Sequence, residues 1–427
     1  MPRTRRVLAA LLSLLALPVV SAVPAAAPAL AGARHGSVVS DRPAAWTPHV
    51  LDGSVKAVAE VGDTVVVGGD FTEVAGPDRG AALKRGNLFA FERGTGRIRA
   101  GFAPRVDGEV LSLVPGPDGT VYVGGRFGSV NGEPQSGVAR LSVADGTRSP
   151  GFAATLDGGW AGRLAEHGGR LYVGGSFSSV NGEARTGLAR LDGRTGAVDP
   201  AFAITLAEPR SGALRVQELA LSPDGRRLVV NGTFTVADGR RRYQIAMVDT
   251  SGPAARLSPW STEAFTEPCD HPKMNTYLRQ MDFAPDGSYF VVVTTGGPDD
   301  TPGLCKSASR WEAVDRPGAR PTWANHTGGD SVYSVEVTGA AVYVGGHQRW
   351  MDNENGHKVQ GPGAVQRRGI GAVHPVTGRA LPWNPGRTRG VGVEALTATS
   401  DGLYVGSDTE DLAGEYRGRL GMFPLAD

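Results

Sequence analysis

One short motif recurs along the whole chain and constrains its fold more than any other feature. Each copy is an apolar strand that ends in a Gly-rich corner, as in Val121-Tyr-Val-Gly-Gly-Arg-Phe127 and Leu171-Tyr-Val-Gly-Gly-Ser-Phe177. Seven copies are visible, beginning at Val65, Val121, Leu171, Leu228, Val291, Val342 and Leu403. Their spacing of about 50 to 60 residues is typical of propellers and solenoids.

The segments around each copy predict a sheet of four strands. Before the motif lie an alternating strand and a tight turn, as in Leu219 to Gly225, where Pro fixes φ and Asp-Gly accepts the positive φ of a hairpin. After it come a third strand, such as Gly137 to Leu141, and a fourth segment with an aromatic residue. Those aromatics are Phe102, Phe152, Phe202, Trp260, Trp323 and Trp383. With almost no helical periodicity, the pattern predicts an all-β, seven-bladed β-propeller with four strands per blade.

The two ends of the chain predict how the ring closes. The last unit stops after its third strand, Arg419 to Phe423, and no aromatic segment follows. A matching segment stands at the front, Pro43 to Pro48, and it contains Trp46. We therefore expect the N-terminal strand to complete the last blade, which leaves no long unpaired sheet edge. An open solenoid is the alternative, and it would need distinct capping repeats.

The motifs resemble a known type of repeat. Phe127-Gly-Ser-Val-Asn-Gly132 and Phe177-Ser-Ser-Val-Asn-Gly182 match each other almost residue for residue. With them the chain resembles the delta-60 type of repeat in secreted bacterial propellers, over residues 44 to 427 and more weakly in the last three units. The Gly-Gly doublet is also kelch-like, although units one to four lack the spaced Tyr and Trp of a kelch repeat. The resemblance implies an exported propeller and no particular chemistry.

The first residues predict export. Basic Arg3, Arg5 and Arg6 precede an apolar run from Val7 to Val23, and a small-residue stretch ends at Ala31. This order is typical of a secretory signal, so residues 1–31 are expected to be cleaved and residues 32–427 to form one secreted propeller domain. A retained membrane anchor is the alternative, but the apolar run is short and Pro18 interrupts it.

The charge balance bears on the partners. The chain has 44 basic and 43 acidic residues, so it is close to neutral with or without the signal segment. This balance gives no electrostatic basis for binding nucleic acid or anionic lipid. No cofactor motif and no complete metal-ligand motif is evident. The expected partner is therefore a small molecule, a glycan or a surface protein.

Two cysteines predict a disulfide. Cys269 precedes the first strand of unit five, and Cys305 lies in the loop between the second and third strands of that unit. In a propeller both loops emerge on the same face. An even number of cysteines in an exported protein therefore indicates a Cys269–Cys305 bond that ties two long loops together.

The long and chemically varied loops predict which face carries function. They all lie before a first strand or between a second and a third strand, whereas the turns of the opposite face are short. The loop after His347 is the longest departure from the simple repeat, and with Trp383 it offers stacking and hydrogen-bonding groups: Trp350, Asp352 and Asn353. We expect this loop to be ordered and to bring His347 and Trp350 towards Glu394. The alternative is that these polar groups are simply solvated.

A second set of candidates surrounds the channel mouth. Alignment of the first strands places one residue of each unit at an equivalent position: Lys56, Leu111, Gly162, Gln217, Arg279, Tyr333 and Glu394. Most of these side chains are polar, which a purely structural wall does not require. Either they line a binding pocket at the axis, or Lys56 and Glu394 simply pair across the first and last units.

Three functional hypotheses follow. The leading one is an extracellular binding or scaffold propeller that recognises a carbohydrate or another surface molecule. The second is an exported hydrolase or lyase with Glu394, His347 and Arg279 as acid/base candidates. The third is a purely structural module. The fold alone does not choose between them.

Overall fold

The computed structural model describes residue 1 and residues 34–266, 269, 274–296 and 303–426. Apart from Met1, the predicted signal segment lies outside the described residues. Their regular structure consists of β-strands, and the predicted all-β class is confirmed. Within these ranges, no helix is long and apolar enough to cross a membrane.

Seven antiparallel sheets follow one another along the chain, and we call them units 1 to 7. In each, the second strand of the unit pairs with both the first and the third. The three strands are Val55–Val61, Thr64–Gly69 and Leu88–Glu92 in unit 1; Glu109–Gly116, Thr120–Arg126 and Val138–Ser142 in unit 2; Trp160–His167, Arg170–Ser176 and Leu188–Asp192 in unit 3; Val216–Leu221, Arg227–Gly232 and Ile245–Asp249 in unit 4; Leu278–Phe283, Tyr289–Thr294 and Ser307–Glu312 in unit 5; Val332–Val337, Val342–Gly346 and Ile370–Val373 in unit 6; and Val393–Thr399, Gly402–Ser407 and Leu420–Pro424 in unit 7.

The outermost position differs between units. Among the described residues, units 4 and 5 have a fourth paired strand, Arg256–Leu257 and Trp323–His326. In four other units an isolated bridge to the third strand takes its place: Phe91 to Ile98, Leu141 to Arg148, Leu191 to Val198 and Val373 to Ala380. In unit 7 the bridge joins Leu425 to Val39 near the N-terminus. A regular four-stranded sheet is therefore the exception, and a single bridge is commoner.

Short hairpins and three-stranded ribbons extend from the loops between second and third strands. They contain His49–Val50 with Glu73–Ala75 and Leu83–Lys84; Ser129–Val130 with Glu133–Pro134; Leu156–Asp157 with Ser179–Val180 and Glu183–Ala184; Leu206–Pro209 with Phe234–Ala237 and Arg240–Arg241; Trp350–Met351 with Val365–Gln366; and Asp411–Leu412 with Glu415–Tyr416.

In units 2 and 3, the Asn of the Val-Asn-Gly turn ties the hairpin to the preceding linker. Asn131 adopts a φ of 57°, which Asn tolerates better than most residues. Its Oδ1 accepts a hydrogen bond from the Arg105 backbone N–H at 2.9 Å, and its Nδ2 donates to the Gly146 carbonyl at 3.0 Å. Asn181 repeats the arrangement in unit 3. The most regular part of the motif is therefore a structural clamp.

The hydrophobic core lies between neighbouring sheets. One buried cluster joins Tyr122 of unit 2 to Leu164 of unit 3, and the aromatic Phe152 of the connecting segment packs on Tyr122 with ring centroids 5.7 Å apart. Another joins Val58 of unit 1 to Tyr404 of unit 7. Each sheet thus buries both faces, which explains why the second strands read as continuous apolar runs.

The predicted disulfide between Cys269 and Cys305 is present, with Cα atoms 5.8 Å apart. Both cysteines are buried in the cluster of unit 5, together with Trp311 and Tyr277. The bond therefore secures the loop that enters this unit to the loop after its second strand.

Candidate functional site

A β-bulge marks the start of every first strand. The register with the second strand shifts by one residue between Val55 and Ala57, and equivalent shifts occur in all seven units. The residues within the shifts are Lys56, Leu111, Gly162, Gln217, Tyr333 and Glu394, together with both Arg279 and Gln280 in unit 5. The position aligned from the sequence is thus the bulge. A bulge interrupts the ladder and re-aims its side chain, so these residues are free to differ between units.

A cavity of about 230 Å³ lies between the first strands of units 1 to 5 and 7. It is lined by Lys56–Val58, Leu111–Leu113, Arg163–Ala165, Glu218–Leu221, Gln280–Asp282 and Ala395–Thr397. Neighbouring first strands contact one another in chain order, and the first strand of unit 7 also contacts that of unit 1. The bulge residues therefore lie at one end of this central cavity, which we call the mouth.

The first strands also carry charged groups close to the bulges, at positions that the repeat pattern did not single out. Arg163 Nε donates to Glu218 Oε2 at 2.6 Å, and Arg163 Nη1 donates to the Leu111 carbonyl at 2.6 Å. Asp282 and Glu336 each accept a backbone N–H from the next unit, Val337 N at 2.6 Å and Ala398 N at 3.0 Å. These side chains stand one or three residues after the aligned bulge position, and the alternation counted from the residue after the bulge would have found them, because residues two apart on a strand share a face.

Burial controls the protonation of these acids. It raises the pKa of Asp282 to about 7, and the nearby Glu218 carboxylate adds to the effect. Burial likewise raises the pKa of Glu336 well above its usual value, with the Asp282 charge contributing. The pKa of Glu218 is also raised by burial, although Arg163 opposes the shift. Three consecutive units, 4 to 6, thus carry carboxyl groups that hold protons more tightly than exposed acids do.

Lys56 makes its direct ion pairs with acids other than Glu394. Its Nζ binds the Glu109 carboxylate of unit 2 and lies 3.2 Å from Asp70 Oδ2. Burial raises the pKa of Glu394, and Lys56 is the main opposing charge. Lys56 and Glu394 are therefore close enough to influence each other electrostatically. The ion pairs of Lys56 are formed with Glu109 and Asp70.

Trp160 lies against the bulge residue of unit 3, which is a glycine, Gly162. A Cβ added to Gly162 would be only 2.7 Å from the benzene edge of the Trp160 indole. The Arg126 guanidinium of unit 2 lies 4.5 Å from the indole centroid. Trp160 is partly exposed. The glycine therefore makes room for an indole and guanidinium platform that the aligned strands did not reveal.

Two arginines stand together at units 4 and 5. Arg215 Nη2 donates to Asn275 Oδ1 at 2.9 Å. Arg279 Nη1 donates to the carbonyl of Thr276, the residue after Asn275, at 3.1 Å. Burial lowers the pKa of Arg279 to about 10, and the positive charge of Arg215 adds to the shift, with Tyr333 opposing it. Burial lowers the pKa of Arg215 too, helped by the charge of Arg126.

His347 and Tyr333 lie in contact. The Tyr333 hydroxyl lies 3.3 Å from His347 Nδ1, and the two rings meet edge to face with centroids 5.4 Å apart. His347 Nδ1 also lies 3.1 Å from the Val391 carbonyl, in the loop that leads to Glu394. His347 therefore belongs to the rim of the mouth.

The other loop candidates lie elsewhere. Asp352 accepts hydrogen bonds from Asn325 and from the Ala380 N–H, and the fully buried Asn353 donates to the Thr327 carbonyl at 3.1 Å. Asn325 belongs to the outermost strand of unit 5 and Thr327 directly follows that strand, so these side chains anchor the ordered loop away from the mouth. Trp350 lies in a short strand, where its backbone pairs with that of Gln366, and its ring stacks with the Arg349 guanidinium.

Trp383 has a structural position. It is 7% exposed, packs against Tyr343 and Phe423, and donates its indole N–H to the Ser40 carbonyl at 2.9 Å. Its ring faces are therefore turned to the core between units 6 and 7, and the stacking surface expected from the sequence is not available. Gln217 keeps its place at the mouth and is partly buried.

No described group of three or more His, Cys, Asp or Glu side chains is arranged to hold a metal ion. The chemistry available at the mouth comes from guanidinium, indole, phenol and imidazole groups, together with the Lys56 ammonium and the Glu394 carboxyl group. This combination suits a polar ligand that presents hydroxyl or anionic oxygens.

Comparisons with known proteins give one family match and a set of similar structures. A family described as a domain of unknown function (DUF5122) beta-propeller matches residues 116–152 and 169–202, which lie in units 2 and 3. The structure is similar to the computationally designed Ika8 protein, with 13% identity, a TM-score of 0.47, and 88% of this chain and 97% of that chain covered. It is also similar to the WD40 beta propeller domain of Doa1, with 10% identity, a TM-score of 0.49, and 90% and 98% covered. A search of curated proteins finds no match.

The family match and the repeated antiparallel sheets define the chain as a β-propeller. A propeller serves as a rigid support for binding surfaces, and its activity depends on the site that it carries.

Proposed function

We propose that this chain is an exported, ring-closed propeller of seven blades that binds a carbohydrate at the mouth of its central cavity. The seven units would be the blades. Closure is supported by the bridge from Val39 to Leu425 and by the hydrogen bond from Ser40 N to the Pro424 carbonyl at 2.8 Å. Trp46 packs on Tyr404 of unit 7 and on Phe91 of unit 1. It thus takes the place that Phe152 has beside Tyr122.

Export is supported by the composition of the first residues and by the disulfide. Structural disulfides persist in oxidising compartments and are rare in the cytosol. The test is the mass of the protein recovered outside the cell, which should correspond to a chain beginning at Gly32. Full-length chain retained in the membrane fraction would support the anchored alternative.

The observation that carries the binding function is the platform at unit 3. An aromatic ring at a cavity mouth, with hydrogen-bond donors around it, is suited to stack on a sugar and to fix its hydroxyl groups. Trp160 provides the ring. The Arg126 side chain is 53% exposed and keeps donors available beside the ring. Gln217 and Tyr333 supply further polar groups on the same rim.

The experiment compares two tryptophans that each have an arginine neighbour. Trp160→Ala should abolish binding to the oligosaccharides that the wild-type protein selects from a glycan array, because it removes the platform at the mouth. Trp350→Ala is the matched control, since Trp350 also stacks with an arginine, 4.3 Å from its ring centroid, but lies outside the mouth. Isothermal titration calorimetry gives the affinities. Loss of binding in the Trp350 variant alone would move the site to the loop after His347, and absence of any glycan ligand would favour the structural module.

A hydrolase is the second candidate function, because Asp282 lines the cavity, Glu336 is its electrostatic neighbour, and both carboxyl groups have raised pKa values. A protonated and an ionised carboxyl group together provide a general acid and a general base. A screen with coloured polysaccharides tests this candidate. Activity that Asp282→Asn and Glu336→Gln both remove would favour it, and activity that both variants retain would exclude these residues.

A further inference from the structure

Arg215 and Arg279 form a pair of positive charges beside the bulge of unit 5, and both residues are partly buried. Their guanidinium groups contact consecutive residues, Asn275 and Thr276, which holds them on the same short segment. The ligands of Arg279 within the protein are backbone carbonyls, those of Thr276 and Leu278 at 3.1 and 2.9 Å. In the described ranges, neither guanidinium has a carboxylate within ion-pair distance. This contrasts with Arg163 and Arg387, whose buried guanidiniums each bind an acid.

The surroundings of the pair leave further hydrogen-bonding capacity. Thr276 is 1% exposed, and its hydroxyl has no hydrogen-bond partner among the described residues. The same holds for Arg215 Nε and for Oδ1 of the fully buried Asn231, whose Nδ2 donates to the Arg279 carbonyl at 2.8 Å. Buried polar groups are normally satisfied, so a group of unsatisfied ones in one place indicates a missing partner. Two of the three, the hydroxyl and the guanidinium Nε, are donors.

The charges agree with the hydrogen bonding. Burial lowers the pKa of both arginines, and a neighbouring positive charge adds to each shift, that of Arg215 for Arg279 and that of Arg126 for Arg215. Arg126 is itself paired with Glu109, 3.4 Å away, whereas Arg215 and Arg279 have no such acid among the described residues. Bringing like charges together without an acid is unfavourable, and an anion between them would relieve the repulsion. Arginine favours carboxylate and sulfate in particular, because its planar fork matches two oxygens at once.

We propose that Arg215 and Arg279 bind the oxyanion of an acidic saccharide, such as the carboxylate of a hexuronic acid. This inference rests on the proposed carbohydrate function, and it names the class of sugar that the mouth selects. The Thr276 hydroxyl, on the segment that both arginines contact, supplies a neutral donor. Trp160 and Arg126, on the neighbouring unit 3 side, stack on the sugar ring that carries it.

The test uses one saccharide with and without its charge. Oligogalacturonate and its fully methyl-esterified form have the same backbone, and only the first carries carboxylates. Oligogalacturonate should bind the wild-type protein at least about 10-fold more tightly than the ester, and raising the NaCl concentration should weaken its binding. A sulfated neutral oligosaccharide is a third probe, which distinguishes a sulfate from a carboxylate as the preferred oxyanion.

Variants then assign the effect to the pair. Arg215→Gln and Arg279→Gln should each weaken oligogalacturonate binding by about 10- to 100-fold and leave binding of the ester unchanged, because a hydrogen bond to a charged group is lost. Arg279→Lys should also weaken binding, since lysine keeps the charge but lacks the fork. Arg194→Gln is the matched control: its side chain is 76% exposed in a hairpin turn of unit 3. Melting temperatures identify any variant that fails to fold.

The outcomes separate this inference from the proposed function. If the ester and the acid bind equally and Trp160→Ala abolishes both, the carbohydrate function stands and the oxyanion site is wrong. If neither saccharide binds but inorganic sulfate binds with dependence on Arg215 and Arg279, the anion site stands without the carbohydrate. If neither saccharides nor sulfate bind, both proposals are overturned.

Discussion

Replacement of Asp282 by Asn should change how the stability of the protein depends on pH. Burial raises the pKa of Asp282 to about 7 from its ordinary 3.8. Between these two values the folded protein therefore binds a proton that the unfolded chain has released. A raised pKa contributes stability that is fully present below pH 3.8 and is lost as the pH rises through 7. Between pH 5 and pH 8 the linkage amounts to roughly 2 to 3 kcal/mol of lost unfolding free energy.

The Asp282→Asn substitution would keep the hydrogen bond and remove the titration. The amide oxygen of the new side chain can still accept from the Val337 N–H, which Asp282 holds at 2.6 Å. The removal of the Asp282 charge also lets the pKa of Glu336 fall, because that charge contributes to its shift. The variant should therefore gain stability relative to the wild-type protein as the pH rises, by roughly 2 to 3 kcal/mol between pH 5 and pH 8.

Urea unfolding followed by tryptophan fluorescence at the two pH values measures this difference. Asp118→Asn is the matched control, since it makes the same chemical change in an exposed turn where Asn also tolerates the φ of 57°. The control should follow the wild-type protein at both pH values. A constant difference between Asp282→Asn and wild type across the range would refute the assignment of a raised pKa to this carboxyl group.

Three further predictions concern the fold. Trp46→Ala should lower the unfolding free energy by about 2 to 4 kcal/mol, because it opens a gap beside Tyr404, and an unchanged urea midpoint would argue against ring closure. Peptide mapping of exported protein without reductant should find Cys269 linked to Cys305, whereas two alkylatable thiols would contradict the bond. Asn181→Ala should cost about 1 to 3 kcal/mol of unfolding free energy in the same urea assay, since it removes a linker clamp and places Ala at positive φ; a smaller loss would mean that the linker has other support.

The sequence contained the repeat unit and its local geometry. The period, the Pro-Asp-Gly turns and the Gly-Gly corners are short-range signals, because they depend on φ preferences and on the alternation of strand side chains. The same alignment located the bulge in each unit, and the positions of the two cysteines indicated their bond. These features are encoded within one unit or between neighbouring loops, so they could be read before any long-range contact was known.

The contents of the mouth depended on contacts between units. The sequence favoured Trp350, Asp352, Asn353 and Trp383 as ligand groups, yet the three polar or aromatic side chains after His347 hold their own loop, and Trp383 packs in the core. Nothing in the local sequence shows whether an Asn reaches a ligand or a backbone carbonyl. That depends on which strand of the preceding unit lies beside it.

The same reason explains why Trp160 was missed. Trp160 stands two residues before Gly162, and a repeat alignment records this glycine only as an absent side chain. The alignment does not show that the glycine leaves space for the Trp160 indole. Arg215 and Arg279 are 64 residues apart in the sequence. Only the packing of unit 4 against unit 5 lets both side chains contact one loop, at its consecutive residues Asn275 and Thr276. The sequence by itself determined the repeat and its turns, whereas the tertiary structure decided which side chains meet, because charge repulsion and ring packing act across space between units.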